Sequence, residues 1–369
     1  MTKKRVLVIG QLDGFANSVR PVQIRRFLQE RGHEVRMADT AALSRASASA
    51  RSLRGKLPAL RPARMALYGT ELLAALLTHR RPLGRRFLSY YLLLADHGLR
   101  RAILRRSLPL DDFDLVICET PNNSGVLTAT GTRTLYDCPQ PWADEMYFQG
   151  RLTERQHLKM RRREKELFER VDHLAFQWDT FVRYTVEQYG IDEGNVMRLD
   201  FGCTPSPHRA RFADPPRVVY LGYLGMEFID LPLLARLSRI HPRIDVYGGP
   251  PPPPELGLNY LGYASPDVLR NYQLGLITCS RDELMRNAVS AKHLTYLAYG
   301  LPTLAPAWRR HAERLGGTFL YTENDFASHV EAMRDERRWQ QASDAAYAQA
   351  RLFSWDRTLR PLQELLKDG

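Results

Sequence analysis

Asn287-Ala288-Val289-Ser290-Ala291-Lys292-His293-Leu294-Thr295-Tyr296-Leu297-Ala298-Tyr299-Gly300-Leu301-Pro302 is the stretch on which the reading of this chain turns. Ser290 is an N-cap residue type, Gly300 stands where a left-handed cap belongs, and Pro302 prevents continuation. The spacing therefore predicts a short helix over 291–299 with both ends fixed. At 100° per residue Leu294, Leu297 and Ala298 share one face, and Lys292, Thr295, Tyr296 and Tyr299 the opposite one. One face packs and the other is free to meet a ligand. Free backbone N–H groups at such a helix start, with a lysine in the first turn, suit a phosphate. The plainer alternative is a surface helix with a solvated lysine.

The flanking sequence alternates between short apolar runs and helical periods. Residues 217–221 read as a strand ending in Gly222, 231–240 as a helix, and 244–247 as a strand ending in Gly248-Gly249. Residues 275–279 and 302–305 supply two more strands around the helix just described. The same pattern opens the chain. Residues 5–10 form a β-branched run of the buried parallel type, Ile24, Phe27 and Leu28 share a helical face, and 34–37 start a second strand. Strands follow near 114–119, 133–136, 173–176 and 197–200, with a charged helix over about 153–170. Prolines and small polar residues between 204 and 216 mark a linker. The fold class is α/β, with two Rossmann-like doubly wound domains facing a cleft, the default ligand site of this class.

The run from Ser290 to Pro302 resembles the donor-binding segment of GT-B glycosyltransferases, S-x-K-x-x-(E/Q)-Y-x-x-x-G-x-P. The likeness is greatest to nucleotide-sugar-dependent bacterial enzymes of the xanthan glucuronosyltransferase kind. Tyr220-Leu221-Gly222-Tyr223 with Phe228-Ile229-Asp230-Leu231, Asn259-Tyr260-Leu261-Gly262-Tyr263, and Phe353-Ser354-Trp355-Asp356 resemble further family segments in family order. The resemblance implies an N-terminal acceptor domain over 1–208, carrying a basic helical insertion at 41–110, and a nucleotide-sugar domain over 209–350. A terminal helix over 351–369 would cross back to the first domain. It implies Lys292 on the donor diphosphate, with Ser290 and Ala291 supplying backbone donors, and Thr295, Tyr296, Gly222 and Tyr223 completing the donor side. Thr295 stands where the family commonly has the Glu or Gln that meets the ribose, and Asn287 where the retaining E-x7-E subset is acidic. With both acids missing, inversion is favoured over retention.

An inverting transfer requires a carboxylate or histidine to take the acceptor hydroxyl's proton. The loop Tyr136-Asp137-Cys138-Pro139-Gln140-Pro141-Trp142-Ala143-Asp144-Glu145 holds the first candidates, Asp144 and then Asp137. Either also reads as a cap or surface acid. In the resembling enzymes the catalytic Asp follows such a tyrosine by four residues, a position held here by Gln140. Gly14, Asn17 and Glu119 are placed on the acceptor side. Gly10-Gln11-Leu12-Asp13-Gly14 is not a GxGxxG dinucleotide fingerprint, and no DxD motif stands at a strand end, so no cofactor and no obligatory metal are expected. The nucleotide-diphosphate sugar, most simply a UDP-sugar, is the co-substrate, and a glycan, lipid-linked or natural-product hydroxyl the acceptor. The same fold without turnover, as a nucleotide or anionic-surface binding protein, is the alternative.

Composition bounds the remaining classes. The 369 residues, 44% hydrophobic and 25% charged, suit two ordinary globular domains. The best apolar run, 87–95, lies between Arg86 and Asp96 and is too short to span a bilayer. The four cysteines are far apart and form no zinc or disulfide pattern. These features, and an apolar start too short for a signal peptide, point to a cytoplasmic protein. Between residues 41 and 106, fourteen Arg or Lys stand against two acids, which is the entire formal excess of +12. With apolar residues at helical spacing, this segment reads as arginine-flanked amphipathic helices. They are suited to the inner face of a membrane or an anionic acceptor, or are simply solvated. Nucleic acid ranks last, because no recognition motif accompanies the charge.

Overall fold

The computed structural model describes residues 3–10, 19–39, 108–119, 124, 126–128 and 130–367. The basic segment 41–106 and the candidates Gly14 and Asn17 lie outside them. The chain divides into two compact units, one up to Leu199 and again from Leu359, the other Asp200–Thr358.

In the first unit β1 (Arg5–Gly10), β2 (Glu34–Asp39), β3 (Leu115–Cys118), β4 (Thr134–Cys138), β5 (His173–Phe176) and β6 (Val196–Arg198) form one sheet. Its order is β2-β1-β3-β4-β5-β6 and every pairing is parallel. A parallel sheet covered on both faces needs strands that are apolar throughout, and Val6 to Ile9 and Leu115 to Cys118 are all fully buried. Helices α1 (Val19–Gln29), α2 (Trp142–Phe148), α3 (Glu154–Phe168) and α4 (Trp178–Tyr189) accompany it. The chain leaves β1 toward β2 and returns on the other side to β3. The carboxyl ends of β1 and β3 are therefore this sheet's topological switch point.

The second unit repeats the plan with β7 (Val218–Leu221), β8 (Ile244–Tyr247), β9 (Asn259–Tyr260), β10 (Leu274–Leu276), β11 (Thr303–Pro306) and β12 (Thr318–Tyr321). The order is β12-β11-β10-β7-β8-β9, again parallel, so its switch point lies between the ends of β7 and β10. Its helices are α5 (Leu231–Ile240), α6 (Glu283–Asn287), α7 (Ala291–Ala298), α8 (Phe326–Glu331), α9 (Glu336–Leu352) and α10 (Trp355–Thr358). The stretch 204–216, marked in the sequence as a linker, is fastened onto this unit. Ser206 N donates to Ala298 O and Ala210 N to Tyr299 O, each at 2.8 Å. The last helix, α11 (Arg360–Lys367), belongs to the first unit. Leu362, Leu365 and Leu366 are buried there, and Arg133 Nη1 donates to Leu365 O at 2.9 Å. Among the described residues no helix is long and apolar enough to cross a membrane.

Candidate functional site

Helix α7 forms as its caps require. Ser290 Oγ accepts from His293 N at 3.3 Å. At the other end Gly300 has φ +62°, Gly300 N donates to Leu297 O at 2.8 Å and Leu301 N to Tyr296 O at 3.0 Å, a Schellman closure. The helix start is aimed at the switch point of the second sheet by Tyr296. This residue, expected on the ligand-facing side, is fully buried. Its hydroxyl accepts from Leu221 N on β7 at 2.8 Å and meets Leu276 O on β10 at 3.3 Å, spanning the gap where the two strands part. Room for its ring comes from Gly275, where a Cβ would lie 2.5 Å from Tyr296 Cδ2. Tyr296 is thus a pin that holds the site in place and not a group that touches a ligand. A glycine inside an otherwise apolar strand was the sequence signal for this close approach.

Lys292 sits at the switch point. Its ammonium lies 3.7 Å from the ring centroid of Tyr220 and packs on Gly222, where a Cβ would meet Lys292 Cε at 2.5 Å. Burial lowers its pKa to about 7, with Arg309 adding to the shift and Cys279 opposing it. A cation held half-neutral near pH 7 gains its proton fully when an anion joins it. Gly248, at φ +101°, comes so close to Gly222 that a Cβ would stand 2.7 Å from the Gly222 carbonyl. Tyr223 beside it is 53% exposed and leaves its ring open to solvent. Thr295 is half-buried and donates to Ala291 O of its own helix at 3.0 Å, so its hydroxyl proton is already engaged. Ser290, Ala291, Lys292 and Gly222 come together. Tyr223 stands at the rim and Tyr296 behind.

Sequence reasoning missed one member of this cluster. Arg309, on the loop after β11, is 1% exposed; its Nη2 donates to Ala288 O, and its Nε and Nη1 have no partner among the described residues. Its only sequence signal is a basic pair closing a buried strand. His311 Nε2 also donates to Ala288 O, at 2.9 Å.

In the first unit the structure reorders the carboxylates. Asp137 on β4 is fully buried against an equally buried Arg20, with Nε to Oδ2 at 2.6 Å and Nη2 to Oδ1 at 2.8 Å. Arg20 Nη2 also donates to Leu199 O at 2.7 Å. Asp144, in the first turn of α2, is 1% exposed. His157 Nε2 donates to its Oδ1 at 2.5 Å and the Tyr184 hydroxyl to its Oδ2 at 2.8 Å, with Arg161 Nε 4.0 Å away. Pro141 offers no capping side chain, and Glu164 takes that place, accepting Trp142 N at 2.7 Å and Ala143 N at 3.1 Å. Asp137 and Asp144, the two carboxylates ranked first for proton transfer, are therefore committed to internal partners. The acids of this loop tie α1 to β4 through Asp137 and α2 to α3 and α4 through Asp144.

Glu119 differs. It follows β3 at the switch point of the first sheet, its backbone N–H on Ile9 O at 3.1 Å, and Oε2 lies 3.6 Å from where a Gly10 Cβ would stand. That buried oxygen has no partner among the described residues. Burial first, then the charge of Asp137, pushes its pKa up to about 8 against the lowering pull of Arg20. Among the described residues no group of three His, Cys, Asp or Glu could hold a metal ion.

No family model matches the chain, and no curated protein matches it in sequence. Solved structures do. Sucrose-phosphate synthase from Thermosynechococcus elongatus superimposes with a TM-score of 0.68 at 11% identity, covering 99% of each chain. HepE from Anabaena, in complex with UDP-glucose, gives 0.64 at 13% identity over 99% of this chain and 100% of its own. A glycosyltransferase from Rickettsia africae gives 0.62 at 12% identity over 100% and 99%.

Proposed function

From the GT-B fold that these structures share with the chain, we propose a glycosyltransferase. It moves a sugar from a nucleotide-diphosphate donor to a hydroxyl of a glycan, lipid-linked or natural-product acceptor. The observation that carries this reading is Lys292 at the switch point of the second sheet, in the first turn of α7. Negative charge develops on the leaving diphosphate as the sugar's anomeric C–O bond breaks, and a fixed cation with oriented N–H groups stabilises it without reorganisation. The UDP-glucose in HepE supports uridine as the base. Thr295 and Asn287 in place of the acidic pair support inversion. In that reaction the acceptor oxygen attacks the anomeric carbon opposite the diphosphate, and its proton passes to a carboxylate. Of the three carboxyls considered, Glu119 alone keeps an oxygen free, and with a pKa of about 8 it gains its capacity as a base as the pH rises through that value.

The commitment of Asp137 and Asp144 favours one other reading, a protein that holds nucleotide without turnover. Calorimetry with UDP, GDP, TDP and CDP, on the wild type and Lys292→Ala, tests donor binding. Selective binding of one nucleotide that weakens about tenfold or more in the variant is expected, equivalent to ~1.4 kcal/mol. Slow hydrolysis of UDP-glucose, or of the sugar nucleotide matching the base selected, then separates enzyme from binder. Glu119→Gln is expected to lower turnover about 10²-fold or more while nucleotide affinity holds. Binding without any turnover in the wild type selects the second reading.

A further inference from the structure

Neither the fold nor the proton transfer uses Gln177, the residue between β5 and α4. It is 8% exposed, and it stands at the cap position of α4 without its side chain bonding the helix. Its amide has no hydrogen-bond partner among the described residues, yet neither amide atom is sealed from solvent. A primary amide carries N–H donors and a carbonyl acceptor, and holding such a group nearly buried and unpaired costs about 1–3 kcal/mol. The backbone around it is strained as well. Trp178, next in the chain, has φ +60°, a left-handed conformation that costs a residue with a side chain roughly 1–2 kcal/mol. It bends the chain from strand into helix directly after Gln177, and a sharp turn of this kind displays the residue at its bend. Strain persists where the site it shapes requires it.

The sheet fixes which way Gln177 faces. Tyr136 and Phe176 pack on Phe168 of α3, so Asp137, in register with Ala175, lies on the opposite face, where Arg20 of α1 meets it. Gln177 follows Ala175 by two residues and is still extended, at φ −81° and ψ 142°, so alternation carries it to the same face as Asp137. Glu119, one residue past the pairing of Cys118 with Tyr136, is level with Asp137 and feels its charge. The carboxyl ends of β3, β4 and β5 thus present Glu119, the fully buried Arg20–Asp137 pair and Gln177 in that order. The middle is closed, and the open hydrogen-bonding capacity lies on either side of it. We infer that Gln177 recognises the acceptor: its amide pairs with a second polar group of the molecule whose hydroxyl Glu119 deprotonates, so that the acceptor is a glycan and not a lone hydroxyl on an apolar carrier. This rests on the glycosyltransferase reading and names the acceptor class within it. β3 and β5 are two strand spacings apart, ~10 Å, a span that the hydroxyls of a saccharide cover and a simple alcohol does not. An acceptor without the second group leaves the amide unpaired, the arrangement that discriminates most strongly between substrates.

The test measures UDP release from UDP-glucose, or the corresponding release from the sugar nucleotide matching the base selected. The acceptors are methyl glycosides of mono- and disaccharides, with cyclohexylmethanol and octanol as single-hydroxyl counterparts. In the wild type the glycosides, and not the two alcohols, are expected to raise release above hydrolysis. Gln177→Met keeps the side-chain length and removes the amide. The KM for the best glycoside is expected to rise about tenfold or more in this variant, equivalent to ~1.4 kcal/mol, with calorimetric UDP affinity held and heat stability no lower than wild type. Gln177→Asn sets the amide back by one methylene and is expected to recover part of the KM. An unchanged KM in Gln177→Met overturns the inference, and so does equal acceleration by glycosides and alcohols, or none by any of them while the donor is hydrolysed; the glycosyltransferase reading then stands. Lower heat stability in Gln177→Met together with weakened UDP binding makes Gln177 a structural group and likewise overturns the inference. A donor neither bound nor hydrolysed by the wild type removes both readings.

Discussion

Lys292 is set apart by where its stem runs: over the ring of Tyr220 and past the bare backbone of Gly222, a path that strips water from the ammonium. Its pKa of about 7 lies below the ordinary lysine value of 10.5, so the folded protein gives up this proton at a lower pH than an ordinary lysine would. A diphosphate favours the charged form, and binding above pH 7 must therefore take up a proton. The expected result is a nucleotide affinity that falls between pH 7 and 9, by up to about tenfold per pH unit. Calorimetry in two buffers of different ionisation enthalpy reads the uptake directly, and Lys292→Arg, with a group that does not titrate there, abolishes it. A proton count of zero at pH 8 in the wild type would refute the buried-ammonium account. The sequence made Lys292 legible because cap, lysine and glycine stand at fixed spacing. It hid Arg309 because nothing in Trp308-Arg309-Arg310 distinguishes a buried arginine from a solvated one. It hid the internal bonds of Asp137 and Asp144 for the same reason, since their partners Arg20 and Tyr184 come from distant parts of the chain.

At the level of elements, the site depends on how α7 is held against the parting strands. Its length and caps were readable locally, and so were the apolar runs of β1, β3 and β7, because fully buried parallel strands leave little room for polar residues. The facing of Tyr296 was not readable. A helical wheel places it with Lys292, but the wheel does not record that the gap between β7 and β10 offers an unpaired N–H at Leu221 and a carbonyl at Leu276. β12, with three of four residues only half-buried, lacks the continuous apolar signature that marked its neighbours. Tyr296→Phe keeps the ring and removes both bonds, stranding the Leu221 N–H. The expected cost is about 1–3 kcal/mol of stability. Nucleotide affinity should weaken with it, since Leu221 immediately precedes Gly222. Denaturant unfolding alongside calorimetry separates the two. A full loss of stability with unchanged affinity would show that the pin braces the sheet and not the site.

Across the whole molecule the charge is unevenly allotted, and the sequence alone predicts from this a second interaction, with an anionic surface, that can be tested. Outside residues 41–106 cations and acids cancel, so the net field belongs to that one segment. Each basic residue near an anionic lipid surface contributes about 1 kcal/mol, decaying over a Debye length of ~8 Å at physiological salt. A dozen uncompensated charges interleaved with leucine and aromatic residues exceed what peripheral attachment requires. The chain is expected to cosediment with vesicles containing phosphatidylglycerol, to ignore pure phosphatidylcholine, and to be released by salt. Replacing Arg80, Arg81, Arg85, Arg86, Arg100 and Arg101 with Gln removes about 6 kcal/mol of attraction by the same rule, so partitioning should fall more than a hundredfold. Nucleotide affinity is expected to hold, because the groups found around Lys292, namely Tyr220, Gly222 and the start of α7, come from another part of the chain. Equal binding to neutral vesicles, or duplex DNA bound as tightly as the anionic vesicles at matched salt, would contradict a membrane-surface role. The arginines would then be a solvated face or a nucleic-acid surface.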